Sequence, residues 1–200
     1  ILTSLTPDAP FGSTPNAVAL NADGTVLYVA NADNNYCALF DVHEWQRSRS
    51  IGFIPTGWYP SALASIPVDG RMAVASAKGF MSKANPRGPR PTERRSPQEE
   101  YIGSLFRGMV TALPAPTPEN LRTASAQVYA NTPHSGRAAS PGSDSRNAVP
   151  FKEGAPSPIK HVFYVIRENR TYDQVLGDLP QGNGDPSLTL FGENTTPNAH

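Results

Sequence analysis

Glu168 and Asn169 set a carboxylate and an amide carbonyl side by side, just after the unbroken apolar run of residues 162–166. A hard divalent cation takes oxygen donors of both kinds, one charged and one neutral. Oxygen ligands alone do not choose among the candidate metals. An ordinary solvated loop carries the same pair, and spacing alone leaves both readings open.

The elements around the pair are predicted from its flanks. Residues 162–166 are all apolar, β-branched or aromatic, which reads as a strand covered on both faces, as in a parallel α/β sheet. Periodicity alone admits a buried helix, but Pro156 and Pro158 upstream and the polar run 167–170 favour the strand. Thr171 and Gln174 have the spacing of a capping box, Tyr172, Val175 and Leu176 supply a first helical turn, and Gly177 supplies a stop. The expected order is strand, polar loop, short helix. Functional groups in open α/β sheets gather beyond the carboxyl ends of strands, where Glu168 and Asn169 would then stand.

The stretch IKHVFYVIRENRTYDQVLGDLPQGNGDPSLTLFGENTTPNAH, residues 159–200, resembles the opening of the phosphoesterase family that includes bacterial phospholipases C and acid phosphatases, within the alkaline phosphatase superfamily. The resemblance rests on a hydrophobic strand followed by E-N-[RH]-[ST]-[FY]-D, here Glu168 to Asp173. It implies that Glu168 and Asn169 bind a catalytic divalent metal ion of open identity. Asp173 takes a supporting role, holding the loop, and Thr171 is a helix cap rather than the nucleophile. The family's Ser or Thr nucleophile and remaining acidic ligands lie well downstream, so they are expected beyond His200. The first residue, Ile1, and the ending inside a family-like segment read as a fragment, whose isolated 200 residues are expected to be inactive.

A different pattern governs the first half. Two strand-like runs flank the turn Asp23-Gly24, and a third run follows at 36–42, which together make an antiparallel meander. The pattern recurs 45 residues on: Pro15 and Pro60, Ala17 and Ala62, Val29 and Val74 align, with the second turn, Asp69-Gly70, displaced by one. A period of this length with several strands per unit is a propeller signature. The words LNADGTVLYVAN resemble the YVTN-type β-propeller repeat, and the two copies together imply a partial propeller with further blades upstream.

Composition bounds the rest. With 17 basic and 17 acidic residues the net charge is zero, so no global field draws the chain to nucleic acid or an anionic membrane. The 21 prolines and 16 glycines favour short strands and long loops over a helical bundle. The sequence shows no apolar run of about 18 residues, the length of a transmembrane helix. Cys37 is the single cysteine and reads as a buried structural thiol. Lys83, Arg87, Arg90, Arg94 and Arg95 fall in a Pro-rich stretch without interleaved aromatics, which reads as a solvated insertion between strands. A strand is expected at 109–113 and a helical or extended piece at 121–129, followed by a Ser/Pro/Gly-rich linker.

The sequence therefore predicts a mixed fold: a partial β-propeller of antiparallel blades over 1–131, a linker over 132–158, and the start of an α/β phosphoesterase domain of alkaline phosphatase type over 159–200. The resemblance implies a phosphate-ester substrate and a periplasmic or secreted location. A second reading is a propeller that binds a partner, joined to a phosphoesterase-like domain that has lost catalysis.

Overall fold

The computed structural model describes residues 1–7, 9, 11–91, 93–132, 148–149 and 156–200. The chain divides into two units, Ile1–Lys83 with Gly103–Gly136, and Ala84–Ile102 with Arg137–His200. Among the described residues every strand lies in the first unit, in two antiparallel sheets, neither of them closed.

The first sheet is a meander of β1 (Pro15–Leu20), β2 (Val26–Asn31), β3 (Tyr36–Asp41) and β4 (Arg49–Pro55), in that order. The second holds β5 (Trp58–Ile66), β6 (Arg71–Gly79) and β7 (Met109–Leu113). Turn chemistry sets both first hairpins. Gly24 and Gly70 adopt φ of 76° and 70°, and Asp23 and Asp69 accept the N–H of Thr25 and Arg71 two residues on, at 3.0 and 3.1 Å.

The two sheets share one register. Ala17 pairs with Ala30 and Val18 with Val29 in the first hairpin; 45 residues later Ala62 pairs with Ala75 and Leu63 with Val74. An irregularity falls between Pro15 and Ala17, and again between Pro60 and Ala62. Before each proline stands a residue with left-handed backbone, Thr14 at φ 50° and Tyr59 at φ 60°. The third strands correspond as well: Val29 faces Ala38 as Val74 faces Thr111. Ala38 and Thr111 are 73 residues apart rather than 45, so an excursion between β6 and β7 makes the path from Val74 to Thr111 28 residues longer than that from Val29 to Ala38.

Alternation of side chains gives each strand its faces. Tyr28, Ala30, Cys37 and Leu39 of the first sheet pack with Met72, Val74 and Leu113 of the second in one buried cluster. On the opposite face, Val29, Tyr36, Ala38, Phe40 and Phe53 pack with Val128. Val128 belongs to α1 (Pro118–Ala130), which begins where the sequence makes it easy: the Thr117 hydroxyl accepts the Asn120 N–H at 3.2 Å and Pro118 opens the first turn. The stretch 121–129, open between helix and strand by sequence, is thus helical.

Leu121, Ser125 and Val128 form one stripe of α1 that lies against β4, the edge strand of its sheet. The Ser125 hydroxyl accepts the Phe53 N–H at 2.9 Å, occupying an edge donor that would otherwise seek another strand. Gly52 allows this approach, because a Cβ there would stand 2.7 Å from both Leu121 Cγ and Ser125 Oγ.

In the second unit the strand expected at 162–166 does not form. These five side chains are 70% to 91% exposed, and the backbone joins no ladder. An apolar run of this kind needs a strand on each edge and cover on each face. Among the described residues the unit contains no strand to supply either. The short helix does form, as α2 (Tyr172–Leu176) with the Thr171–Gln174 capping box. The linker expected at 132–158 falls mostly outside the described residues. Among the described residues no helix is long and apolar enough to cross a membrane.

Candidate metal-binding loop

Glu168 and Asn169 lie in the irregular chain leading into α2, Asn169 at a bend, and both are exposed. Neither side chain has a hydrogen-bond partner among the described residues. The residues that follow are committed to holding the backbone. The Thr171 N–H donates to Gln174 Oε1 at 3.3 Å, which fixes the entry to α2. Asp173 Oδ1 accepts the Asp185 N–H at 2.9 Å, tying the loop that returns past the helix.

That return loop is built from short-range bonds. Asp185 Oδ1 accepts both the hydroxyl and the N–H of Ser187, at 2.7 and 2.9 Å, and these bonds hold its carboxyl below the usual range. The Gln174 carbonyl accepts the N–H groups of Leu190 and Phe191 at 2.9 and 3.0 Å. Gly184 sits so close to Gly177 that a Cβ would meet its Cα at 2.7 Å, so the glycines here serve close backbone approach. The Arg170 guanidinium stands over the Phe191 ring, 5.4 Å from its centre.

A pair that sequence reasoning missed closes the segment. His200 Nε2 meets Asp178 Oδ1 at 2.9 Å, and its Nδ1 lies 3.1 Å from the Thr196 carbonyl. The hydrogen bond to Asp178, then the bond to Thr196, raises the histidine pKa; the same imidazole lowers that of Asp178. The partners are 22 residues apart in no recognisable motif, so only the fold reveals them.

Tested against a divalent ion, the loop supplies two suitable oxygen donors, Glu168 and Asn169, and their chemistry fits a hard cation. Among the described residues no three His, Cys, Asp or Glu side chains converge. Two oxygen donors alone fall short of the roughly six to eight ligands such an ion takes.

Charge elsewhere is largely spent on itself. Arg87, Arg90 and Arg95 pair with Glu100, Glu93 and Glu99 at 2.8, 3.0 and 3.3 Å. At the β3–β4 turn, Asp41 engages both His43 and Arg49 while Glu44 engages Arg47.

No protein-family model matches this sequence, and no curated protein is detectably similar to it.

Proposed function

We propose that residues 159–200 supply the metal-binding loop of a phosphoesterase, with Glu168 and Asn169 as two ligands of a divalent ion and a phosphate ester as substrate. The observation behind this reading is the division of labour along 168–174: Thr171, Asp173 and Gln174 hold backbone, while Glu168 and Asn169 are exposed and unengaged among the described residues. The E-N-R-T-Y-D order supports it as well.

When bound, such an ion offsets charge on the phosphoryl oxygens and lowers the pKa of the attacking hydroxyl. The work of this chain is to present two oxygens from a loop anchored by the capping box and by the Asp173–Asp185 bond. In this reading a Ser or Thr nucleophile and further ligands complete the site, and the exposed apolar run 162–166 takes up strand pairing only where neighbouring strands of an alkaline phosphatase-type sheet cover it. The register shared at a 45-residue offset supports reading the two sheets of the first unit as blades of a partial β-propeller. The same proposal places the protein in the periplasm or outside the cell.

The test is hydrolysis of p-nitrophenyl phosphate by the intact protein, with and without EDTA, beside Glu168→Ala. Chelation should abolish turnover, and the substitution should lower kcat/KM by about 100-fold or more, at least what loss of an outer partner of a metal costs. Activity unchanged by both treatments would overturn the ligand assignment.

A further inference from the structure

The β2–β3 connection, the β4–β5 connection and the last turn of α1 meet at one end of the first unit. The meander requires the first two to be neighbours, since Asn31 pairs with Tyr36 and Tyr36 with Pro55. Between them lies a cavity of about 320 Å³, lined by Asn34, Asn35, Thr56, Trp58 and Asn131 over the apolar surfaces of Pro55 and Val128. Its volume sits at the lower end of the roughly 300–1,000 Å³ typical of small-molecule sites.

The lining contains three primary amides, one hydroxyl and one indole, and no charged group. Internal bonds orient these polar groups and leave one end of each available. Asn35 Oδ1 accepts the Tyr59 N–H at 2.8 Å, and Asn131 Oδ1 accepts from Gln127 Nε2 at 2.6 Å, so both present their Nδ2 donors. Asn34 Nδ2 donates to Ser13 Oγ at 3.0 Å, and the Thr56 hydroxyl donates to the Gly57 carbonyl at 2.9 Å, so both present acceptors. Beside these two donors and two acceptors stands Trp58, 42% exposed, whose indole offers a large flat apolar surface.

We infer that this cavity binds a neutral saccharide. A pyranose joins an apolar C–H face, which an indole covers, to adjacent hydroxyls that each donate and accept. A purely apolar ligand would strip the amides of water without replacing their bonds. A phosphorylated ligand would find no cation among the lining residues. This site stands in the first unit and does not depend on the phosphoesterase reading.

The test is ligand-detected NMR titration of the full chain with cellobiose, maltose and chitobiose, with glucose 6-phosphate and adenosine as charged and aromatic controls. At least one disaccharide should bind saturably in the millimolar range. Trp58→Ala should weaken it by about tenfold and Trp58→Phe by much less, given the usual value of an aromatic contact. Should Trp58→Ala fail to fold, Asn131→Leu removes one donor and should also weaken binding by about fivefold or more. No saturable disaccharide binding, affinity that survives the substitution, or tighter binding of either control would each overturn the assignment.

Discussion

Asn31 and Ser76 occupy one position in two copies of the same hairpin: Asn31 pairs with Pro15, and Ser76, 45 residues on, pairs with Pro60. Both are fully buried, yet their polar atoms fare differently. Asn31 Nδ2 donates to the Thr3 carbonyl at 2.9 Å and Asn31 Oδ1 accepts from the Thr3 hydroxyl at 3.1 Å. The Ser76 hydroxyl has no partner among the described residues. An unpaired buried hydroxyl contributes nothing to offset its desolvation. Ser76→Ala should therefore leave stability within about 0.5 kcal/mol or raise it, whereas Asn31→Ala should cost about 2 kcal/mol and release the N-terminal segment. Urea unfolding of the two variants compares them directly; equal losses would sink the distinction.

Gly52 carries the contact between β4 and α1. Its φ of 148° and the 2.7 Å approach of Leu121 and Ser125 leave no room for a methyl group. Gly52→Ala should cost about 2–3 kcal/mol, through backbone strain and displacement of the helix. Ser125→Ala should cost about 1–2 kcal/mol, because it uncovers the Phe53 N–H on an edge strand. Hydrogen exchange at the Phe53 amide reads this out: exchange should accelerate in Ser125→Ala, and an unchanged rate would show that the hydroxyl does not protect the edge.

The parts of the fold legible in the sequence were those set by local chemistry. Asp-Gly turns, alternating side chains and helix caps act over a few residues, so β1, β2, β3, β7 and the cap of α2 could be read directly. Pairing is not local. That Thr111 faces Val74 follows only once the 28 extra residues of the excursion are discounted, and nothing in the sequence announces their number. The run at 162–166 shows the same limit in reverse, since strand propensity was present but no described strand of its unit offers a partner. For the candidate site, adjacency made Glu168 and Asn169 visible, while the Asp178–His200 contact and the cavity at Trp58 depend on folding.

Cys37 lies on β3 with no solvent exposure, and burial pushes its thiol pKa up to about 12. The nucleophilic species is the thiolate, which is therefore almost absent near neutrality. A disulfide reagent should label Cys37 only after denaturation. Rapid labelling of the folded chain would mean that the first sheet opens far more readily than its packing implies.

His200 and Asp178 make the second unit sensitive to pH in a defined direction. The folded pKa of His200 is raised above its unfolded value of about 6.5, because the Asp178 carboxylate and the Thr196 carbonyl accept its protons. Its contribution is complete below that value and is lost as pH rises through the raised folded pKa. Asp178 is depressed, so its contribution is present above its unfolded value of about 3.9 and is lost as pH falls through the lower folded one. The contact is therefore firmest from about pH 4 to pH 6.5 and loosens as pH rises through the raised pKa of His200. An NMR titration of the His200 imidazole should give a midpoint above about 6.5, and Asp178→Asn should bring it down. Amide exchange at Thr196 and Ala199 should quicken as the imidazole deprotonates, since their turn is anchored through the same ring. A midpoint at or below the ordinary histidine value, or one indifferent to Asp178→Asn, would show that the pair does not hold this turn.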